Sequence, residues 1–407
     1  MKVVNIKDAY GLNGFVIDIF AFEDGIVKIS YHRDGRKSMI CPVCGRRMGK
    51  NRTVIREVYD LAIGGFRKVI LQIKTVQGKC AGCGTCKTFL PDGIDGKTTA
   101  THRLQRYASA LCYAMSPADA TWLLPFSDDT IRRWDQNILE KELGKVDLEN
   151  VQHLLIDEKS IGKRHNYVTL VLNGETGELL YINKGKGYDS IKPFFEQMTQ
   201  KQRENIKTAC MDRNASYPKA VTEFCPNADI IFDKFHIIKN LNDAVDQVRR
   251  EETAKAVKEN KPIIKGERFN LLRCRENLTH KQYQRLAKLL KLNKVIYAAY
   301  VLKESFRQIW KCSNILEASE FLSQWTVQAI EGKLKPLIRF GQGLLRDKAG
   351  LLASIKFGFT NAAMERFNGT VSRVIARGFG YRILPYLFLK LRQQSTKNRG
   401  FLSAILR

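Results

Sequence analysis

The stretch "HLLIDEKSIGKRHNYVTLVLNGETGELLYINKGK", residues 153–186, decides how the second half of the chain folds. It holds three runs rich in Leu, Ile, Val and Tyr, a composition typical of β-strands. The breaks between the runs, "GKRH" at 162–165 and "GETG" at 174–177, are short and contain Gly, which suits hairpin turns. We therefore predict a three-stranded antiparallel meander that begins a sheet.

The residues that follow extend this sheet by two further strands, each preceded by a helix. "DSIKPFFEQMTQKQRENI" at 189–206 has the apolar spacing of an amphipathic helix, and "SYPKAVTEFC" at 216–225 is also helical. Two apolar runs, "IKTACMD" at 206–212 and "ADIIFDKFHII" at 228–238, predict strands. The order β-β-β-α-β-α-β is the layout of a ribonuclease-H-like core, in which the first and fourth strands lie side by side.

Acidic residues follow the apolar runs of the first and fourth strands. Asp157 ends the first run and Asp212 ends the fourth, so adjacent strands bring both carboxylates to one edge of the sheet. Oxygen ligands of this kind suit Mg²⁺. An Asp after an apolar strand is also commonly just the first residue of a loop. Glu158, Asp229 and Asp233 compete for the same role, although Glu158 alternates to the opposite face if the strand continues.

A third candidate carboxylate lies in "TNAAMERFNG", residues 360–369, which begins a predicted helix. Helical spacing from Asn361 onward separates three stripes. The apolar stripe is Ala363, Phe367, Val371 and Val374; the basic stripe is Arg366, Arg373 and Arg377; the polar stripe is Asn361, Glu365, Asn368 and Ser372. Glu365 is the only charge on the polar stripe. It is either part of a solvated helix face or a metal-binding carboxylate on a helix that packs on the core.

The N-terminal region carries two C-x-x-C pairs, each followed by Gly. They are "CPVCGRR" at 41–47 and "CAGCGTC" at 80–86, and the residues between them read as strand, Gly64-Gly65 turn and strand. Two such pairs fill a tetrahedral Zn²⁺ site and leave no open position, so the zinc of this predicted zinc ribbon is structural. The predicted ligands are Cys41, Cys44, Cys80 and Cys83, with Cys86 as an alternative because it forms a second C-x-x-C with Cys83.

The segment 101–143 has helical spacing and two breaks. "HRLQRYASALCYAM" ends at Ser116-Pro117, "PADATWLL" is a short helix closed by Pro125, and "SDDTIRRWDQNILEKEL" begins with Ser127 as its N-cap. This pattern predicts a helix-turn-helix whose last helix brings Arg132 and Arg133 to the major groove of DNA. A plain helical linker is the alternative.

Composition narrows the choice of partner. The 407 residues carry a formal net charge of +27, an excess that favours nucleic acid as the partner, with an anionic membrane as the second choice. The chain lacks an apolar run of the roughly 18 residues that span a bilayer, and the N-terminus lacks the layout of a signal peptide. We expect a cytosolic protein with no membrane role, in which cysteines serve as metal ligands or buried thiols.

Four blocks of the chain resemble the DDE transposases of bacterial insertion sequences, and most closely the ISL3 family. The blocks are "LLIDEKSIGKRHNYVTLV" (154–171), "ACMDRNASYPKAV" (209–221), "IIFDKFHIIKNLNDAVDQVR" (230–249) and "TNAAMERFNGTVSRVIARGFGYR" (360–382). The resemblance implies that Asp157, Asp212 and Glu365 are the catalytic metal ligands. Asp233 and His236 match the D-x-F-H block of the family, with no chemical role assigned. The extra Cys86 is a small departure from the family's cysteine pairs.

The resemblance also implies a multidomain α/β protein. We predict an N-terminal β region with the zinc ribbon (1–97), a helix-turn-helix (98–147), and a ribonuclease-H-like core in two parts (148–240 and 356–407). A helical insertion (241–355) separates the two parts, because three helical runs, at 240–260, 281–310 and 315–330, lie in the long gap between Asp212 and Glu365, which are 153 positions apart. The Lys and Arg residues of the insertion either contact DNA phosphates or lie on solvent-exposed faces of its helices.

The implied activity is transposition. Two Mg²⁺ (or Mn²⁺) ions, about 3.5–4 Å apart, support in-line displacement at phosphorus. Cleavage at the element ends frees 3′-OH groups, which then join target DNA. Implied partners are terminal inverted repeats, target DNA and a second copy of the chain. The alternatives are a DNA-binding regulator derived from a transposase, without cleavage activity, and a structure-selective nuclease of the same fold.

Overall fold

The computed structural model describes residues 10–62, 67–162, 166–213, 216–259, 266–357 and 361–395. The chain forms two compact units, the first built mainly from residues up to Gly144 and the second mainly from Lys145 onward. The predicted Gly64-Gly65 turn and the last three residues of the "GKRH" turn lie outside the described residues.

The first unit begins with a five-stranded mixed sheet. Its strands are β1 (Phe15–Glu23), β2 (Ile26–Arg33), β3 (Gly49–Asp60), β4 (Lys68–Lys79) and β5 (Cys86–Thr88). The order is β1-β2-β4-β3, with β5 paired to β4, and only the β2–β4 pair is parallel among these strands. Alternate residues of β2 and β4, such as Ile29 and Leu71, are fully buried, so one face of the sheet supplies the core.

Three helices complete the first unit: α1 (His102–Ala114), α2 (Pro117–Ala120) and α3 (Asp128–Leu143). Each begins at a hydroxyl N-cap, and the side chain of Ser127 accepts a hydrogen bond from the backbone N–H of Thr130. Asp60, at the end of β3, is buried and accepts hydrogen bonds from Thr101 (2.6 Å) and from the guanidinium of Arg103 (2.7 Å from Nε). This buried carboxylate therefore ties the sheet to α1.

The second unit contains the other mixed sheet. Its strands are β6 (His153–Gly162), β7 (Asn166–Asn173), β8 (Leu179–Lys184), β9 (Thr208–Met211) and β10 (Asp229–Phe232), in the order β10-β9-β6-β7-β8. β6, β7 and β8 form an antiparallel meander, whereas β9 pairs in parallel with both β6 and β10. The connecting helices are α4 (Tyr188–Glu196), α5 (Gln200–Asn205) and α6 (Tyr217–Phe224).

Seven helices then share a hydrophobic core that also includes Phe232 of β10. Within it, the rings of Phe306, Trp325 and Phe340 pack edge to face. The seven helices are α7 (Lys234–Lys258), α8 (Arg268–Leu272), α9 (His280–Leu292), α10 (Lys294–Phe306), α11 (Ile315–Glu331), α12 (Lys335–Arg346) and α13 (Lys348–Phe357). The last two helices, α14 (Ala362–Arg377) and α15 (Leu384–Ser395), pack on one face of the second sheet.

Several element bounds differ from those expected from the sequence; the short helix expected over 117–124, for example, ends at Ala120. The strand predicted over 228–238 ends at Phe232, because Asp233 accepts a hydrogen bond from the backbone N–H of Phe235 and caps α7. The helical run over 281–310 is broken at Asn293, whose side chain caps α10 through the N–H of Ile296. The run over 189–206 is split where Thr199 caps α5.

The described residues thus form a mixed α/β protein with two mixed sheets and fifteen α-helices. Among those helices, none combines the length and the apolar content that crossing a bilayer requires.

Candidate active site

Two of the predicted acids lie next to each other at the centre of the second sheet. Leu155 of β6 is paired with Cys210 of β9, and the strands run parallel. Carried two residues further, the same register sets Asp157 beside Asp212, which directly follows β9. Because side chains alternate along a strand, both carboxylates share a face with Leu155 and Cys210. That face packs on α14 and α15.

The third acid belongs to the helix that covers this face. Met364, Phe367 and Val371 are buried against the sheet and fix how α14 lies on it. Asn368 donates a hydrogen bond from Nδ2 to Oδ2 of Asp157 at 2.7 Å. Glu365 lies one helical turn before Asn368 and on the same side of the helix, and its side chain is exposed. The helix therefore brings Glu365 to within one turn of a residue that touches Asp157.

A histidine links Asp212 to a further acid. Asp233 is buried, caps α7 and binds Nδ1 of His236 through Oδ2 at 2.8 Å. The other ring nitrogen, Nε2, lies 3.8 Å from Oδ2 of Asp212. The hydrogen bond with Asp233 raises the pKa of His236, and the charge of Asp212 acts in the same direction. His236 is thus held between two carboxylates, one of which belongs to the predicted catalytic set.

Burial dominates the electrostatics of Asp157. It raises the pKa of this carboxyl, while the hydrogen bond from Asn368 and that from the backbone N–H of Glu158 (2.8 Å) act in the opposite direction. A carboxylate whose charge is disfavoured by burial gains from a nearby cation. Glu158 alternates to the other face of the strand, as expected, where Lys186 partly offsets the rise that burial causes in its pKa.

The structure does not gather the three predicted acids into a closed metal site. Among the described residues, a single group of three or more His, Cys, Asp or Glu side chains has ligand atoms that all lie within 4.8 Å of one another, and it consists of cysteines. Asp157 instead lies in β6, Asp212 directly follows the neighbouring strand β9, and Glu365 lies on α14, which packs on the same face of the sheet. The three side chains offer carboxylate oxygens but do not form a closed cluster.

The cysteine group lies in the first unit and comprises Cys41, Cys44, Cys80 and Cys83. The Sγ atoms of Cys41 and Cys83 are 3.5 Å apart, and those of Cys44 and Cys80 are 3.4 Å apart. Four thiolates around Zn²⁺ at about 2.3 Å would be separated by roughly 3.8 Å. The cluster is therefore compatible with a structural zinc.

Both halves of the cluster use the same turn. Cys41 O accepts from the N–H of Gly45, and Cys80 O accepts from the N–H of Gly84, at 3.0 and 2.9 Å. Both glycines have positive φ (70° and 72°), which explains why Gly follows each pair. Cys86 is exposed in β5 and is not a member of the group, so the geometry favours Cys83 over the alternative ligand.

The arginines expected to contact DNA occupy exposed or half-buried helix positions. On α3, Arg132 forms an ion pair with Asp129 at 2.9 Å, whereas Arg133 is exposed and lines an open cavity of about 480 Å³ together with Arg106 and Lys141. On α14, Arg366, Arg373 and Arg377 are all exposed. Their positions are compatible with DNA contact.

Sequence reasoning gave Asn368 no role and left His236 unassigned. Both contact a predicted catalytic acid. A signal for each was present: Asn368 follows Glu365 at helical spacing on the polar stripe, and His236 follows Asp233 by three residues, the spacing at which an N-cap side chain reaches the first helical turn.

The family model and the similar proteins found for this chain are all described as transposases. The ISL3 DDE family model, described as a transposase, matches residues 154–391, a range that contains all three acids. The transposase for insertion sequence element IS1001 of Bordetella parapertussis is 28% identical over 367 residues, 89% of this chain and 90% of that protein. Transposases for IS1557 from two strains of Mycobacterium tuberculosis are 25% identical over 256 residues, 57% of either chain.

Proposed function

This chain belongs to the ISL3 family of DDE transposases, and from that premise we propose that it cuts DNA at the ends of its insertion sequence and joins those ends to target DNA. Membership makes it an insertion-sequence transposase. Two observations support the specific mechanism: β6, which carries Asp157, pairs with β9, which Asp212 follows, and Asn368 of the Glu365 helix donates a hydrogen bond to Asp157.

A ribonuclease-H-like catalytic core is part of this proposal. The strand order β10-β9-β6-β7-β8 supports it, because the first and fourth strands of the sheet are adjacent and parallel. The hydrophobic core that α7 to α13 share supports a helical insertion between Asp212 and Glu365. We keep the domain limits proposed from the sequence, with core segments at 148–240 and 356–407 around an insertion at 241–355.

The family implies the use of divalent metal, and the residues present fit such ions. Asp157, Asp212 and Glu365 offer carboxylate oxygens, the ligands that Mg²⁺ prefers. Each carboxylate oxygen of Asp157 accepts one hydrogen bond, which leaves lone pairs for a cation. When bound, two Mg²⁺ or Mn²⁺ ions supply Lewis-acid stabilisation of the attacking and leaving oxygens.

The protein's own residues orient these groups. Asn368 fixes the carboxylate of Asp157, and the Asp233–His236 pair faces that of Asp212. The reaction is two successive displacements at phosphorus. First, water attacks the phosphodiester at the element end, the bond to the 3′ oxygen breaks, and a 3′-OH is freed. That hydroxyl then attacks a phosphodiester of the target, the target's own bond from phosphorus to its 3′ oxygen breaks and leaves a 3′-OH, and the element end becomes joined to the 5′ phosphate of the target.

DNA recognition falls to the first unit in this proposal. α1 to α3 form the helix-turn-helix and, with the zinc ribbon, read terminal inverted repeats, with base contacts from Arg132 and Arg133. The net charge of +27 supplies sequence-independent, salt-sensitive affinity. Arg366, Arg373 and Arg377 of α14 hold DNA near the acids. Two element ends must be paired, so we expect a homodimer on DNA, which solution scattering of the protein with end DNA tests.

The experiment uses a plasmid that carries the gene and its flanking sequence, incubated with the purified protein and Mg²⁺. Mapping of new 3′ ends is expected to find cuts at both ends of the element, with none for Asp212→Asn. Binding of the flanks without cuts would overturn the enzymatic proposal and favour a transposase-derived regulator. Cuts scattered outside the repeat ends, without joining, would indicate a nuclease.

A further inference from the structure

The short helix α8 (Arg268–Leu272) presents an aromatic ring to solvent. Phe269 is 72% exposed, whereas its neighbours Asn270 and Leu271 are buried at 8% and 0%. Exposure of a whole phenyl ring is costly in water, because about 25 cal/mol is lost for each Å² of apolar surface left unburied. The ring is thus a candidate contact surface of the helical segment.

The helix that carries this ring is firmly anchored. The buried ammonium of Lys303 donates hydrogen bonds to the backbone oxygens of Leu271 (2.7 Å) and Arg273 (2.8 Å), at the C-terminal end of α8. Asn270 donates to the buried carboxylate of Glu267 at 2.6 Å. Phe269 therefore projects from a fixed backbone and needs little ordering to bind a partner.

Three arginines, one of them the neighbour of Phe269, are held by a buried acid. Asp246 of α7 is 5% exposed and receives the Nε groups of three arginines. The distances are 2.8 Å from Arg249, 3.4 Å from Arg250 and 3.2 Å from Arg268. The guanidinium of Arg268 also lies 5.6 Å from the centroid of the Phe269 ring. Since the contacts with Asp246 use Nε, the Nη groups keep hydrogen-bonding capacity for another anion.

A second buried acid repeats this arrangement. Glu267 is 2% exposed and binds the half-exposed Arg285 at 2.7 Å. The residues around the two buried acids therefore carry more positive than negative charge: four arginines (Arg249, Arg250, Arg268 and Arg285) face two carboxylates (Asp246 and Glu267). Guanidinium groups held in a fixed geometry recognise phosphate well.

We propose that Phe269, Arg250 and Arg268 form a binding surface for a DNA strand with unpaired bases, with one base stacked on the ring and phosphates on the arginines. This surface is the α8 platform. The inference rests on the proposed function, which brings opened DNA ends to this protein. Unpaired bases are required because the base faces inside a duplex are hidden, whereas a base in a single strand offers its face for stacking.

The experiment measures DNA binding by the full-length protein without added Mg²⁺, so that it does not depend on cleavage. The probes are a labelled oligothymidylate of about 16 nucleotides, near one typical site size, and a duplex of equal length. Phe269→Ala is expected to weaken binding of the single strand about tenfold and to leave the duplex unchanged. Phe269→Tyr, which keeps the ring, restores binding. Leu316→Ala removes another exposed side chain, 82% exposed on α11, and changes neither affinity.

Two further readouts locate the contact. Arg250→Gln is expected to reduce the salt dependence of single-strand binding by about 0.7 in the slope of log K against log salt. Oligonucleotides that contain 5-iododeoxyuridine are expected to crosslink under light to the peptide that contains Phe269. Crosslinks confined to other peptides would contradict the stacked arrangement.

The outcomes separate this inference from the proposed function. If the wild-type protein binds neither probe, the proposed function itself fails. If it binds both and Phe269→Ala matches wild type, the α8 platform is wrong and transposition is untouched. Equal loss for single strand and duplex would also refute stacking on an unpaired base. A change of oligomeric state in Phe269→Ala would identify the surface as a protein interface and overturn the proposal.

Discussion

The hydrogen bond from Asn368 to Asp157 gives a prediction that separates positioning from metal binding. Asn368→Ala removes the only side-chain donor found on Oδ2 of Asp157 among the described residues, at 2.7 Å, and leaves the three acids in place. Asp157 is partly buried, so a lost donor is not simply replaced by bulk water. The backbone N–H of Glu158 still holds Oδ1, but Oδ2 loses its donor, so the carboxylate is less well oriented toward a cation.

The magnitude follows from the type of bond. A hydrogen bond to a charged group contributes about 1.5–3 kcal/mol, and about 1.4 kcal/mol corresponds to a factor of ten. We therefore expect Asn368→Ala to raise the Mg²⁺ concentration required for half-maximal cleavage about 10- to 100-fold, the range typical of residues that orient metal ligands. Because the ligands remain, saturating Mg²⁺ recovers most of the activity.

The assay measures the initial rate of cleavage at the element end as a function of Mg²⁺ concentration. Glu365→Gln, which removes a proposed ligand on the same stripe, is expected to stay inactive at every concentration. Ser372→Ala, at the exposed end of that stripe, serves as the matched control and retains the wild-type Mg²⁺ dependence. An unchanged Mg²⁺ dependence in Asn368→Ala would refute the positioning role. Loss that no Mg²⁺ concentration recovers would make Asn368 more than an orienting residue.

Two other predictions concern the zinc cluster and the packing of α13 on the sheet. Cys83→Ser is expected to reduce bound zinc from about one ion per chain to almost none, whereas Cys86→Ser retains the zinc. Inductively coupled plasma mass spectrometry of the purified proteins measures the zinc content. Equal loss of zinc in both variants would make Cys86 a ligand again. Gly350→Ala sets a methyl group 2.5 Å from the ring of Phe232 and is expected to lower the free energy of unfolding by about 1–3 kcal/mol. Gly369→Ala, whose added methyl group is 3.6 Å from its nearest neighbour, is the control in the same denaturant titration, and equal stability of the two variants would contradict the packing argument.

Elements whose signal is local were predictable from the sequence. The N-cap at Ser127 lies where the sequence predicted it, and the three helices of the first unit begin where apolar spacing and Pro117 predicted them. The adjacency of β6 and β9 followed from element order alone. Strand ends were less predictable. The fourth strand, expected over 206–212, forms only over Thr208–Met211.

Contacts between distant residues were the part that sequence could not supply. The bond between Asn368 and Asp157 joins residues 211 positions apart, and nothing in the local pattern of either residue specifies it. The strand predicted over 228–238 was wrong beyond Phe232 for a related reason. A run of apolar residues does not distinguish a strand from a helix, and Asp233 ended the strand by capping α7.

The most direct test of the account replaces Mg²⁺ with Fe²⁺ and generates hydroxyl radicals with ascorbate and peroxide, so that the protein backbone is cut next to bound metal. If Asp157, Asp212 and Glu365 hold metal together, fragments end near all three residues, and Asp212→Asn abolishes all three cuts. Cuts near the cysteine cluster, if present, are unaffected by that substitution and serve as an internal reference. Cuts that miss residues around Glu365, or that survive unchanged in Asp212→Asn, would contradict a shared catalytic metal site.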